Sequence, residues 1–208
     1  VNLLKKISKE ELLIGAAVFV VVYYLLSRKK STDKKEEIKE GSRMIIDDSS
    51  VKRRDFPADI EEQFKKVAGS SYQPFLDDLK AIGLDKTIAL RQIYAESSFN
   101  PKATSPMGAK GLTQFIPSTW SSYSTGDPYN VSDSLKAYPK LMKDLMAKYP
   151  NRIDLALASY NSGPYYQYPR KSGNYLYPQA LKENTPFLEL KSKLPSETYK
   201  YVTSILRP

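Results

Sequence analysis

Glu96-Ser97-Ser98-Phe99-Asn100-Pro101, followed by Ser105, Gly108-Ala109 and Gly111-Leu112-Thr113-Gln114, decides how this chain reads. Upstream of it, Ile88, Ala89, Ile93 and Tyr94 recur at helical spacing, and Asp85 stands in an N-cap position. Pro101 cannot continue a helix and pushes Asn100 toward extended geometry, so Glu96 falls in or near the last turn. The carboxyl end of a helix carries partial negative charge, which disfavours an ionised carboxylate. Burial against neighbours such as Phe99 and Leu112 acts in the same direction. Both effects raise the pKa of Glu96, as a general acid working near neutral pH requires. The plainer reading is an exposed helix-end glutamate, or one paired with Arg91 or Lys102.

The composition narrows the chemistry. The chain of 208 residues has no histidine and no cysteine. Disulfides, thiolate metal sites and Ser-His-Asp triads are therefore excluded, and a carboxylate-only zinc site is disfavoured. No cofactor and no metal is expected. What remains is a carboxylate tuned by its surroundings and assisted by Ser, Gln, Tyr and Asn. The formal charge is +9. Residues 1–71 hold 15 Lys/Arg and 12 Asp/Glu, and residues 72–208 hold 17 and 11, so most of the excess lies in the second part. Such a surface suits an anionic polymer or membrane; for nucleic acid there is no supporting motif, and none is expected as a partner.

Two further runs accompany the first. One is Ala158-Ser159-Tyr160-Asn161-Ser162-Gly163-Pro164, and the other is Leu194-Pro195-x-Glu197-Thr198-x-x-Tyr201-Val202. Together, in this order, the three resemble the signatures of the soluble lytic transglycosylase family, goose-lysozyme-like enzymes that cleave the glycan strands of peptidoglycan. The resemblance spans roughly residues 72–208. It implies a mainly α, lysozyme-like domain with a deep cleft.

It also implies a reaction in which Glu96 protonates the bond between N-acetylmuramic acid and N-acetylglucosamine. Glu96 then acts as base on the muramic 6-hydroxyl, closing a 1,6-anhydro ring. Most glycosidases use two carboxylates, yet no other Asp or Glu lies between Glu96 and Gly126, which fits the substrate-assisted exception. Ser105 matches a family serine near the glutamate and the sugar, and Gln114 a substrate-binding glutamine. Tyr160 matches a tyrosine close to the glutamate, Asn161 begins the turn that shapes the cleft floor, and Glu197 matches a substrate-contacting glutamate. Each has a plainer alternative: a turn residue before Pro106, an exposed helix residue, a core aromatic, or an exposed cap. The chain departs from the family at Thr113, where methionine is usual.

Two other functions share these residues. A hydrolytic muramidase of the same fold needs an aspartate to place a water, and Asp127 and Asp133 are the nearby candidates. A non-catalytic glycan-binding protein would not need the acid.

The remainder divides the chain into an anchor (1–30), a charged linker (31–70) and the transglycosylase domain (71–208). Leu12 to Leu26 is fifteen residues without a charge. It is somewhat short for a membrane span, but Lys9 and Arg28 can snorkel and Tyr23-Tyr24 suits the interface. A signal-peptide core has the same length, but no small-x-small cleavage site follows. The stretch therefore reads as an N-terminal transmembrane helix, with the lipid membrane as a partner. Arg28, Lys29, Lys30, Lys34 and Lys35 after the span lean toward a cytoplasmic carboxyl side, whereas a peptidoglycan enzyme needs the other side. A virion membrane resolves the conflict, so the expected settings are phage entry, or a secretion machine with partner proteins of its own.

Residues 31–40 are almost all charged or small, which suits a tether. An amphipathic helix is expected within Pro57–Ala68 and further helices over Gln73–Ile82, Asp154–Tyr160, Pro178–Leu190 and Ser196–Leu206. Pro139 is read as the first-turn proline of another. A short hairpin is allowed for in 121–133. The tyrosines of Tyr160–Tyr177 either line a glycan cleft or pack as a loop.

Overall fold

Gly83 and Asp85 punctuate the first helical pair as their chemistry requires. In the computed structural model, helix α2 (Tyr72–Ile82) ends at Gly83 in the left-handed conformation, φ 72°, whose N–H reaches back to Leu79 and Lys80. Asp85 then caps helix α3 (Lys86–Ser97), its side chain accepting from the Ile88 N–H at 3.0 Å. The structure describes residues 46, 48–52, 54–164, 166–167 and 173–207. The candidate span at 12–26 and the charged run at 31–40 lie outside the described residues. The chain divides into two units, Val1–Ser42 and Arg43–Pro208, and all described residues belong to the second. Among them, no helix is long and apolar enough to cross a membrane.

The fold is mainly helical. Before α2 comes α1 (Ile60–Ala68), joined to it by a 3-10 turn at Gly69–Ser71. After α3 come α4 (Pro117–Tyr123), α5 (Val131–Lys148), α6 (Ile153–Ser162), α7 (Leu176–Lys182), a 3-10 turn at Phe187–Leu190, and α8 (Ser196–Ile205). Helix α6 is the centre: Asp154 through Ser159 are all buried, and α5, α7 and α8 pack around it. Helix α3 packs against α1, α2 and α8.

Helix α1 belongs to this core. Phe64 is fully buried, with its ring 5.4 Å from Phe75 and 5.1 Å from Phe99. The segment read as the end of the linker is therefore the first packed element of the unit, and its amphipathic face is the reason. Ile46, further upstream, is also buried, and its N–H donates to the Leu206 carbonyl at 3.0 Å.

Three expectations are corrected. Pro139 lies inside α5 rather than at its start. Asn130 caps that helix by accepting from the Asp133 N–H at 3.1 Å, so the helix begins at Val131. An interior proline costs about 3 kcal/mol; burial of Leu135, Ala137, Tyr138, Met142 and Leu145 on either side of it offsets that cost. The helix expected over Pro178–Leu190 is two pieces, because Asn184 turns left-handed, φ 50°, and Pro186 disfavours helix at Thr185. No hairpin forms in 121–133: the segment holds the end of α4, a turn and the start of α5. The isolated bridges near it are earlier, Thr104 to Lys110 and Lys110 to Phe115.

Arg152 and Asp154 form a forked pair at the start of α6, Nη2 to Oδ2 at 2.7 Å and Nε to Oδ1 at 3.0 Å. Asp154 is 1 % exposed, and Arg152 Nη2 also donates to the Thr185 carbonyl at 2.9 Å. Removing one partner strands a buried charge. Asp154→Ala is expected to cost about 3–5 kcal/mol, readable as a shift in the urea-unfolding midpoint.

Candidate active site

Helix α3 delivers Glu96 one residue before its end. Ser98 caps the helix in a left-handed conformation, φ 51°, and Phe99 follows at φ 62°. The chain then turns back over the helix, where Ser97 Oγ donates to the Leu112 carbonyl at 2.8 Å. Glu96 is thereby brought to the wall of a cleft of about 1470 Å³. The returning loop contributes Ser105, Gln114 and Phe115, helix α5 contributes Asp144 and Lys148, α6 contributes Ser159, Tyr160 and Asn161, and α8 contributes Glu197, Lys200 and Tyr201. All six residues singled out from the sequence line this one cleft.

Glu96 has one strong partner. Tyr201 Oη donates to its Oε1 at 2.5 Å. Burial pushes the carboxyl up to about 7; the Tyr201 hydrogen bond and the Arg54 charge oppose the rise, and Glu197 adds to it. The partners considered from sequence lie elsewhere. Arg91 donates to the carbonyls of Ile205 and Arg207, and the Lys102 ammonium lies over the Tyr129 ring.

The other residues divide by what their polar atoms do. Ser105 closes a turn, its Oγ accepting from the Ala109 N–H at 3.0 Å, while also facing the cleft. Gln114 is neither helical nor solvent-facing in the way its plainer reading had it. It sits at φ 49°, and its Nε2 donates to the carbonyls of Gly111 at 2.8 Å and Ala103 at 3.2 Å, which leaves Oε1 for a ligand. Tyr160 packs between Phe115 and Tyr138, ring centroids at 5.9 and 6.1 Å. Its hydroxyl donates to the Thr113 carbonyl at 2.6 Å rather than to Glu96. Asn161 Oδ1 accepts from Thr198 Oγ1 at 2.7 Å, tying α6 to α8. Glu197 is exposed in the first turn of α8. Thr113, the departure from the family pattern, is fully buried and does not line the cleft; it acts through its carbonyl.

Tyr201 is the functional group that sequence reasoning passed over. It stands inside the third signature, but nothing in the spacing says that it crosses to a glutamate 105 residues earlier. Of the Tyr-rich segment, Tyr166 and Tyr177 pack on each other at 6.1 Å, and Tyr166 Oη donates to the Lys193 carbonyl. Among the described tyrosines of Tyr160–Tyr177, only Tyr160 lines the cleft. Tyr165 and Tyr168 lie outside the described residues.

Tyr201→Phe removes the hydrogen bond that favours the ionised form of Glu96. The Glu96 titration midpoint is expected to rise by about one pH unit, checked by carboxyl carbon NMR.

The unit is mainly helical, and its cleft is walled by a glutamate at a helix end whose carboxyl burial pushes up to about 7. Residues 74–175 match the family model described as the transglycosylase SLT domain. Over 120 residues the chain is 32% identical to membrane-bound lytic murein transglycosylase F of Yersinia enterocolitica, and likewise to that of Salmonella typhi. Each alignment covers 52% of this chain and 25% of the relative; the chain matches about a quarter of the length of these curated relatives. The fold also resembles the X-ray structure of lytic transglycosylase Slt from Pseudomonas aeruginosa, solved as an inactive glutamate-to-glutamine mutant. That match has a TM-score of 0.51 and 17% identity, and it covers 66% of this chain and 23% of the other. Residues 74–175 of the chain are thus similar to the soluble lytic transglycosylase domain.

Proposed function

We propose that the chain is a peptidoglycan lytic transglycosylase with Glu96 as its single acid and base. The observation that carries the reading is the placement of Glu96: on the cleft wall, held by Tyr201, with burial pushing its carboxyl up to about 7. The neutral carboxyl gives its proton to O4 of N-acetylglucosamine as the C1–O4 bond to N-acetylmuramic acid breaks. The sugar's own N-acetyl group supports the electron-poor C1, as in substrate-assisted glycosidases. The carboxylate then takes the proton of the muramic 6-hydroxyl, and that oxygen bonds C1. Glu96 ends protonated, and no water is consumed. Tyr201 stabilises the ionised form between the two steps, while Ser105, Gln114, Tyr160, Asn161 and Glu197 shape the cleft and hold the glycan.

One observation favours this over the hydrolytic muramidase. Asp127 and Asp133 are engaged in the turn before α5: Asp127 Oδ1 accepts from the Tyr129 N–H at 2.9 Å, and Asp133 Oδ2 from the Asp127 N–H at 3.1 Å. Neither lines the cleft. The other carboxylates that do, Glu197 and Asp144, stand on α8 and α5, and Asp144 accepts from Tyr123 Oη at 2.8 Å.

The relatives are named as membrane-bound murein enzymes, and the Slt structure is of an inactive glutamate mutant. Both facts support the reading. Residues 12–26 serve as a single-pass anchor and the charged run after them as a tether, with the catalytic unit on the peptidoglycan side, in the periplasm or on a virion membrane. The enzyme then opens the wall locally, for phage entry or for a secretion machine.

The test is release of soluble muropeptides from purified sacculi as a function of pH. Because Glu96 must begin protonated, the rate is expected to be flat below about pH 7 and to fall about tenfold per unit above it. A rate that rises through pH 8 contradicts an acid role for Glu96.

A further inference from the structure

Residues 46–56 precede the matched domain at 74–175, and no catalytic signature falls among them. Yet they strap together the two helices that carry the proton machinery. At one end, Ile46 bonds the Leu206 carbonyl, and Asp48 Oδ2 accepts from Tyr199 Oη at 2.7 Å and Lys191 Nζ at 3.0 Å. In the middle, the Arg54 N–H donates to Ser204 Oγ on α8 at 3.0 Å, and its guanidinium donates across to the Ala95 carbonyl on α3 at 2.7 Å. At the other end, the Phe56 ring meets Tyr94 edge-on at 5.9 Å and lies beneath Arg91 and Arg207. Glu96 stands on α3 and Tyr201 on α8, so one strap fixes both partners of the 2.5 Å bond.

We propose that Arg54 is a positioning residue for Glu96: its guanidinium binds the carbonyl one residue before the glutamate, holds the last turn of α3, and supplies the fixed positive charge beside the carboxyl. The geometry suits both roles. The last carbonyls of a helix lack intrahelical donors, and a cation there satisfies one of them and offsets the negative end of the dipole. The same charge favours the carboxylate over the acid.

The groups that face Glu96 are Tyr201 and Glu197 on α8, Tyr138 on α5, Tyr160 on α6 and Arg54 on the strap. Lys52 and Lys200 line the same cleft. The tyrosines stay neutral around pH 7, as burial raises each of them well above its ordinary value. Among the groups that act on Glu96 directly, Arg54 is thus the positive charge opposing burial. The role of Arg54 rests on the reading of Glu96 as the acid, but its effect on the carboxyl does not.

The test is carboxyl carbon NMR titration of Glu96 in the full chain, which needs no substrate, alongside the pH profile of muropeptide release. Arg54→Gln is expected to raise the midpoint by about half to one pH unit, and Arg54→Lys to leave it within about 0.3 unit. Arg54→Met serves as a second neutral variant should the Gln protein fold poorly. In both neutral variants the alkaline limb of the rate profile should move by the same amount as the NMR midpoint.

A neutral variant that titrates with the unaltered chain overturns the proposal, as does a Lys variant that titrates with the neutral ones. A shifted midpoint in the variants, together with no muropeptide release by the unaltered chain, upholds the Arg54 contact and refutes the function proposed above.

Discussion

Glu96→Gln is expected to lower muropeptide release by about 10²- to 10⁴-fold while leaving binding to sacculi intact, because general acid–base transfer supplies a factor of that order and the amide keeps the shape. The same substitution should stabilise the fold at high pH. Burial pushes the folded carboxyl up to about 7 from its ordinary value of 4.5. Between these values the unfolded chain holds fewer protons than the folded one, so stability falls as pH rises through that window and stays low above it. Gln carries no such cost. The variant should gain about 3 kcal/mol at pH 8 and nothing near pH 4, read from urea midpoints at the two pH values. An activity loss without the pH-dependent gain would mean that the carboxyl is not held out of water.

Gly111→Ala is expected to be the most damaging change to the loop. Gly111 lies at φ 73°, and a Cβ there would stand 1.8 Å from the Pro128 carbonyl oxygen. A side chain in the left-handed region costs about 1 kcal/mol or more, and overpacking against backbone adds roughly 1–3 kcal/mol. The displaced loop carries function with it. The Gly111 N–H donates to Ala103 at 2.9 Å, and its carbonyl accepts from Gln114 Nε2 at 2.8 Å. The variant should therefore lose about 2–4 kcal/mol by urea unfolding, and lose activity even where it remains folded. An unchanged midpoint would mean that the loop shifts off Pro128 without cost.

The parts of this fold legible in sequence are those fixed by local chemistry. Gly83 and Asp85 mark a helix end and the next helix start because one needs a left-handed residue and the other a side-chain acceptor. Pro101 places Glu96 at the end of α3 for the same kind of reason. The parts that were not legible depend on contacts distant in sequence. Pro139 is tolerated inside α5 because flanking residues bury their side chains in a core assembled from other helices. Arg54 and Tyr201 reach Glu96 from 42 residues before and 105 after, and no periodicity encodes such a meeting. Gln114 and Tyr160 do line the cleft, but their donors are spent on loop carbonyls, a division of labour that only the folded loop reveals.

The most direct measurement is mass spectrometry of the muropeptides that the full chain releases from purified peptidoglycan. The account predicts 1,6-anhydromuramic ends, since Glu96 alone gives and takes the proton and no water is placed. Reducing muramic ends, or no release from a folded chain, would contradict it.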